Sequence, residues 1–182
     1  MGLADQLTIA RAAAVPVVVA LFAIDFPGHD YWATGVFAGA MTTDWLDGQI
    51  ARRQGRTSPL GSLLDPIADK LLVLAATIVL IDRGVFAAWM VAAIVVRELL
   101  ISGLRLAAIE RGVVISARDL GKWKTWTQAM AVGIGGLAAA GVWRSDVAEW
   151  ALVVALVLTW VSGLDYARVA PRLLRGGATA SP

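Results

Sequence analysis

About six runs of roughly 20 apolar residues, separated by short polar breaks, leave this chain few folds to choose from. Lipid offers no partner to an unpaired backbone amide or carbonyl, so runs of this length become helices that satisfy their own hydrogen bonds. The composition agrees: 58% of the 182 residues are hydrophobic, and the mean hydropathy of +0.70 is far above that of a soluble domain. The expectation is an all-α integral membrane protein with six transmembrane helices. They cover residues 7–24, 31–52, 59–81, 85–109, 120–142 and 147–169, after a short interfacial segment at 1–6. Residues 1–175 read as one domain and 176–182 as a disordered tail. The N-terminus lacks a basic segment and a small-residue cleavage site, so the first span is expected to be retained.

Charge gives the orientation. Eleven lysines and arginines fall on one set of ends and loops, among them Arg52, Arg56, Arg111, Lys122 and Arg172. Only Arg83 and Arg144 fall on the other. The excess marks the cytoplasmic side, which then holds both termini and the loops at 53–58 and 110–120. Trp32, Trp89, Trp143 and Trp150 gather towards the opposite side, as an interfacial aromatic belt does. There is no cysteine, which excludes disulfides and thiolate metal sites. The single histidine, His29, is placed in a loop and cannot build a zinc site alone. Nothing points to nucleic acid. Alanine richness and the preference for arginine over lysine suggest a bacterium, hence its inner membrane.

Four aspartates interrupt the apolar text. Asp44 and Asp47 are spaced i, i+3 and Asp65 and Asp69 i, i+4, so on helices each pair shares a face. The polar break at 53–58 lets the two helices return antiparallel and bring the carboxylates together. Four bare carboxylates in a low dielectric repel one another. Divalent cations relieve this, and an all-oxygen donor set suits Mg²⁺, Mn²⁺ or Ca²⁺. Small residues Gly48, Ala51 and Gly61 leave room beside the aspartates for a nucleotide or its phosphates. Arg52 offers a forked donor to phosphate oxygens. An intramembrane carboxylate can also be purely structural, but four at these spacings fit a functional site better.

The pattern Asp44-x2-Asp47-Gly48-x2-Ala51-Arg52-x8-Gly61-x3-Asp65-x3-Asp69 resembles the signature of the CDP-alcohol phosphatidyltransferases at every fixed position. The resemblance implies that Asp44, Asp47, Asp65 and Asp69 hold divalent metal, Mg²⁺ or Mn²⁺, as two ions. It implies that Asp69 also takes the proton of the acceptor hydroxyl, and that Gly48, Ala51, Arg52 and Gly61 bind the nucleotide and its diphosphate. Leu7-Thr8-Ile9-Ala10-Arg11 is similar to the start of the family's first span and adds Thr8 to that set. Ala4-Asp5 stand where the family commonly has Pro-Asn, which departs from the pattern. A homodimer is implied as well.

The acceptor alcohol is read from the fourth and fifth spans. Arg97-Glu98 through Ser102 to Arg105, then Gly121-Lys122-Trp123-Lys124-Thr125, look like the branch that uses glycerol 3-phosphate. That acceptor carries its own phosphate and needs a cationic pocket, for which Arg97, Arg105, Lys122 and Lys124 are the candidates. Arg97 could equally be spent on pairing with Glu98 or another acid, and Lys122 and Lys124 could serve topology alone. The reading is therefore phosphatidyl transfer from CDP-diacylglycerol to sn-glycerol 3-phosphate, with CMP released to the cytoplasm. Inositol phosphate or phosphatidylglycerol as acceptor is the near alternative. A divalent-cation transporter is the distant one.

Overall fold

The computed structural model describes the backbone of residues 3–54, 59–110 and 119–176, and the side chains of residues 9–43, 70–108, 123–165 and 167. Within these residues the chain forms six helices and no strand: α1 (Leu3–Ala23), α2 (His29–Gln54), α3 (Pro59–Asp82), α4 (Ala88–Glu110), α5 (Asp119–Ala139) and α6 (Ser145–Gly176). The all-helical expectation holds, and the six helices fall on the six apolar runs.

The ends differ from the hydropathy boundaries for local reasons. Gly84 and Gly141 adopt φ of 70° and 75°, the left-handed conformation that glycine enters without a Cβ penalty. Behind each, the chain folds back on the helix it has left. The Val85 amide donates to Leu80 O at 3.0 Å, and the Val142 amide to Leu137 O at 2.9 Å. These are helix-terminating C-cap bonds. They end α5 at Ala139 instead of Val142, and they leave Val85 and Phe86 buried in the turn before α4. Residues 3–6, expected as a separate interfacial segment, are the opening turn of α1. His29 lies at the start of α2, not in a loop; it is buried, with Nδ1 3.2 Å from Leu21 O. At the other end α6 continues through Pro171 to Gly176, and residues 177–182 lie outside the described residues.

The heaviest packing is of α5 on α6 and of α1 on α2 and α3; α4 packs mainly on α6, and α2 and α3 with α5 join the two halves. Phe22, Leu72, Leu80, Met90, Ile94 and Leu152 are among the fully buried side chains at the centre. Close helix approach depends on two adjacent glycines of α5. A Cβ on Gly135 would meet Phe86 Cζ at 2.7 Å, and one on Gly136 would collide with Thr34 Oγ1. On α2, a Cβ added to Gly35 or Gly39 would meet nothing within 4 Å.

The exterior is apolar. Trp89, Leu99, Leu100, Trp123 and Trp150 are all exposed by more than 60%, unlike the surface of a soluble monomer. The stretch Ser145–Asp165 of α6 is long and apolar enough to cross a membrane, and among the described residues it is the one helix that is so by length and composition alone. Helices α3, α4 and α5 carry Lys70, the Arg97–Glu98 pair and Lys124 in their interiors, which lowers their hydropathy. At the end of the bundle where α2 and α4 begin, Arg83 clamps two turns together. Its Nη2 donates to Asp30 Oδ2 at 2.9 Å and its Nη1 to Asp25 Oδ1 at 3.4 Å.

Candidate functional site

Glu98 is the hub of the polar residues inside the bundle. It is only 3% exposed. Its Oε1 accepts from Arg97 Nη1 at 3.0 Å and from Lys124 Nζ at 2.5 Å. Lys70 Nζ lies 3.9 Å from its Oε2 and donates to Ser102 Oγ at 2.5 Å. Glu98 and Ser102 stand i, i+4 on α4 and so share the face turned to α3. Arg97, one residue earlier, reaches α6 instead, where Nη2 donates to Ser162 Oγ at 2.7 Å. Lys124 and Gln128 repeat the i, i+4 relation on α5, and Gln128 Nε2 donates to the buried Thr159 Oγ1 of α6 at 2.8 Å. Four helices are thus tied by side chains through one carboxylate.

Three cations converge on that single carboxylate. Arg105, two turns further along α4, adds positive charge that both Lys70 and Arg97 feel. Among the described residues cations outnumber carboxylates here, and opposite charges attract far more strongly in a low-dielectric interior than in water. Beside this cluster is a cavity of about 160 Å³ lined by Lys70, Val73, Leu74, Glu98, Lys124, Thr125 and Gln128. Two lysines supply point charges, while Thr125 and Gln128 supply hydrogen-bonding groups. A small anionic group such as a phosphate suits this lining.

Lys70, which lines the cavity, directly follows the motif's Asp69 on α3. The backbone puts Asp44 and Asp47 on α2 and Asp65 and Asp69 on α3, so both spacings fall on helix as the sequence predicts. The side chains of these four lie outside the described residues. So do those of Thr8 on α1, Gly48, Ala51 and Arg52 on α2, Gly61 on α3 and Lys122 on α5. The donor set, carboxylate oxygens from two helices, fits a hard divalent cation. Of the residues proposed for an acceptor phosphate, Lys124 lines the cavity. Arg97 is buried, paired with Glu98 and Ser162, and does not line it; Arg105 is half-buried. Sequence reading passed over Lys70 and Gln128, and took Thr125 only as part of the branch pattern, with no binding role. Their signal was present: each is a polar residue inside an apolar helix, and Lys70 adjoins the motif.

The chain is similar to known proteins over most of its length. A family model described as CDP-alcohol phosphatidyltransferase matches residues 1–161. The CDP-diacylglycerol–glycerol-3-phosphate 3-phosphatidyltransferase of Bacillus subtilis is 38% identical over 180 residues, 91% of this chain and 93% of the relative. The protein of the same name from Rickettsia bellii is 38% identical over 170 residues, again 91% and 93% of the two chains. A cardiolipin synthase (CMP-forming) of rice is 36% identical over 148 residues, 74% of this chain and 45% of the relative.

Proposed function

The chain belongs to the CDP-alcohol phosphatidyltransferase family, and on that premise we propose that it transfers the phosphatidyl group of CDP-diacylglycerol to sn-glycerol 3-phosphate. The products are phosphatidylglycerophosphate and CMP. The observation that carries the reading is the near full-length similarity to bacterial enzymes of that name. The cationic cavity beside the motif helix supports it, because this acceptor brings a phosphate of its own.

Lys124 and Lys70 bind the acceptor phosphate, and Thr125 and Gln128 orient it. Asp69 takes the proton of the acceptor hydroxyl as its oxygen bonds to the β-phosphorus. The bond from that phosphorus to the bridging oxygen breaks, and CMP leaves with the electron pair. Arg52 faces the diphosphate, with Gly48, Ala51, Gly61 and Thr8 around the nucleotide. Asp44, Asp47, Asp65 and Asp69 would hold Mg²⁺ or Mn²⁺, as two ions, which supply charge neutralisation at the diphosphate. The six helices are read as spans of a bacterial inner membrane with the site facing the cytoplasm, supported by the apolar exterior and the charge asymmetry of the ends. A homodimer is the assembly implied by family resemblance.

The rice relative favours one second reading, in which phosphatidylglycerol is the acceptor. The test is CMP release by purified protein with CDP-diacylglycerol and Mg²⁺ or Mn²⁺, offering glycerol 3-phosphate, inositol phosphate or phosphatidylglycerol. Release confined to glycerol 3-phosphate establishes reaction and acceptor together. Release only with phosphatidylglycerol or inositol phosphate keeps the chemistry and replaces the acceptor. Metal flux through proteoliposomes without CMP release would instead favour a cation transporter.

A further inference from the structure

Gln128 is a polar side chain inside an apolar helix, and only half of its amide is paired. Its Nε2 donates to Thr159 Oγ1 of α6 at 2.8 Å. Thr159 is fully buried and Gln128 is 7% exposed. Among the described residues no donor meets Gln128 Oε1, and an amide oxygen held out of water without a hydrogen bond is costly. Charge favours the same orientation. Lys70 and Lys124 line the cavity that Gln128 lines, and the oxygen is the end of an amide that attracts cations. A clamp between α5 and α6 does not account for the residue. Those two helices already make the heaviest contact in the bundle, and the clamp uses the amide nitrogen alone. The oxygen is the part left for the cavity.

Glycerol 3-phosphate brings three polar groups into that space. Its phosphate meets the lysines and its reacting hydroxyl meets Asp69. Its second hydroxyl must donate to some acceptor once it has left water. The lysine ammonium groups only donate. Glu98 Oε1 already accepts from Arg97 and Lys124, and its Oε2 faces Lys70 at 3.9 Å. Thr125 is already engaged by another residue. Gln128 Oε1 is the uncharged acceptor that remains. It stands one turn from Lys124, about 6 Å along α5, a step that a phosphate and a hydroxyl on the adjoining carbon can bridge.

We propose that Gln128 Oε1 accepts the hydrogen bond of the acceptor's non-reacting hydroxyl, the one on C2 of glycerol 3-phosphate. Thr159 is a positioning residue that holds the amide with its oxygen towards the cavity. This rests on the transferase reading above and deepens it: Gln128 is a specificity residue, which selects acceptors that carry a hydroxyl beside the phosphate-bearing carbon.

The experiment compares sn-glycerol 3-phosphate with 3-hydroxypropyl phosphate, which keeps the phosphate and the reacting hydroxyl and lacks the hydroxyl on C2. CMP release is followed at saturating CDP-diacylglycerol with Mg²⁺ or Mn²⁺. In wild type, kcat/KM should be about tenfold or more higher for glycerol 3-phosphate, because the analogue leaves a buried acceptor unpaired. Gln128→Met, apolar and of similar length, should make the two acceptors nearly equal by lowering kcat/KM for glycerol 3-phosphate alone. Thr159→Val should narrow the gap and Thr159→Ser should keep it. A merely structural role would not change the ratio, since loss of folded protein lowers both acceptors alike. Equal kcat/KM for the two acceptors in wild type would overturn the proposal, whether or not any variant folds. So would a Gln128→Met variant that loses both in the same proportion, which would leave Gln128 as a clamp between helices. If neither acceptor yields CMP, the transferase reading fails by itself. Calorimetric titration of the two phosphates into wild-type protein then tests the contact, and equal affinities, or no binding of either, would overturn it.

Discussion

Gly163 and Arg97 are fitted to each other across the α4–α6 contact: a Cβ built on Gly163 would lie 2.7 Å from Arg97 Nε. Arg97 cannot swing aside, because Nη1 is held by Glu98 at 3.0 Å and Nη2 by Ser162 at 2.7 Å. Gly163→Ala should therefore destabilise the protein by about 1–3 kcal/mol, the ordinary cost of overpacking. Gly133→Ala, whose Cβ meets nothing, should be neutral or gain up to about 1 kcal/mol from helix propensity. Thermal unfolding in detergent ranks the two, and the reverse order would refute the fit.

Glu98→Gln keeps the shape of the hub and removes its charge. Lys70, Arg97 and Lys124 would then face one another without the carboxylate that they share. Breaking a buried pair costs about 3–5 kcal/mol because the remaining charge is left uncompensated. The same account predicts partial recovery when one cation is also removed. Glu98→Gln/Lys124→Met should be more stable than Glu98→Gln alone. A double-mutant cycle on Tm measures that coupling, and strictly additive losses would show that the two side chains do not act as a pair.

The hub also shows where sequence reading stopped. Hydropathy located all six helices, because the length of an apolar run is a local property. The aspartate spacings were legible for the same reason, since i, i+3 and i, i+4 have a fixed meaning once the segment is helical. Partnerships between helices were not legible. Lys70 sits beside Asp69 in the text, but its partner Ser102 is 32 residues away and is chosen by how α3 meets α4. Arg97 could have faced a ligand or an acid; the helix packing turned it to Glu98 and Ser162. The glycines make the same point. Gly35 and Gly136 look alike in sequence, yet Gly136 lies hard against Thr34 while Gly35 borders an open groove. Helix ends were shifted by two turn glycines, Gly84 and Gly141, whose backbone conformation hydropathy does not encode.

Lys124 serves the hub and lines the cavity, so its removal should be read by kinetics as well as by stability. Lys124→Met should raise KM for glycerol 3-phosphate by about tenfold or more, the loss of one charge-assisted phosphate contact. KM for CDP-diacylglycerol should move little. A lost structural role alone would lower the amount of active enzyme without separating the two constants. Equal changes in both would assign Lys124 to structure only.

Asp69→Asn tests the motif. It removes the proposed proton acceptor and one carboxylate of the proposed donor set while nearly preserving shape. CMP release should fall by about a hundredfold or more, as expected when a general base is lost, with the unfolding transition retained. Chelation by EDTA should abolish release by the wild-type protein, and added Mg²⁺ or Mn²⁺ should restore it. Near-normal turnover by the variant would remove Asp69 from the mechanism.

The clamp at the far end of the bundle should separate stability from catalysis. Arg83 joins the turn after α3 to Asp30 in the first turn of α2, at 2.9 Å. The Asp30 side chain is 9% exposed and that of Arg83 26%. Arg83→Met should therefore cost more than the ~1 kcal/mol of an exposed pair and less than the ~3–5 kcal/mol of a fully buried one. Asp30 is about 21 Å along α2 from Asp44, beyond the reach of a local rearrangement in a packed bundle. Tm should fall while both KM values of the surviving enzyme stay as in wild type. A change in either KM would mean that this clamp sets the relative height of α2 and α3, and through them the meeting of the two aspartate pairs.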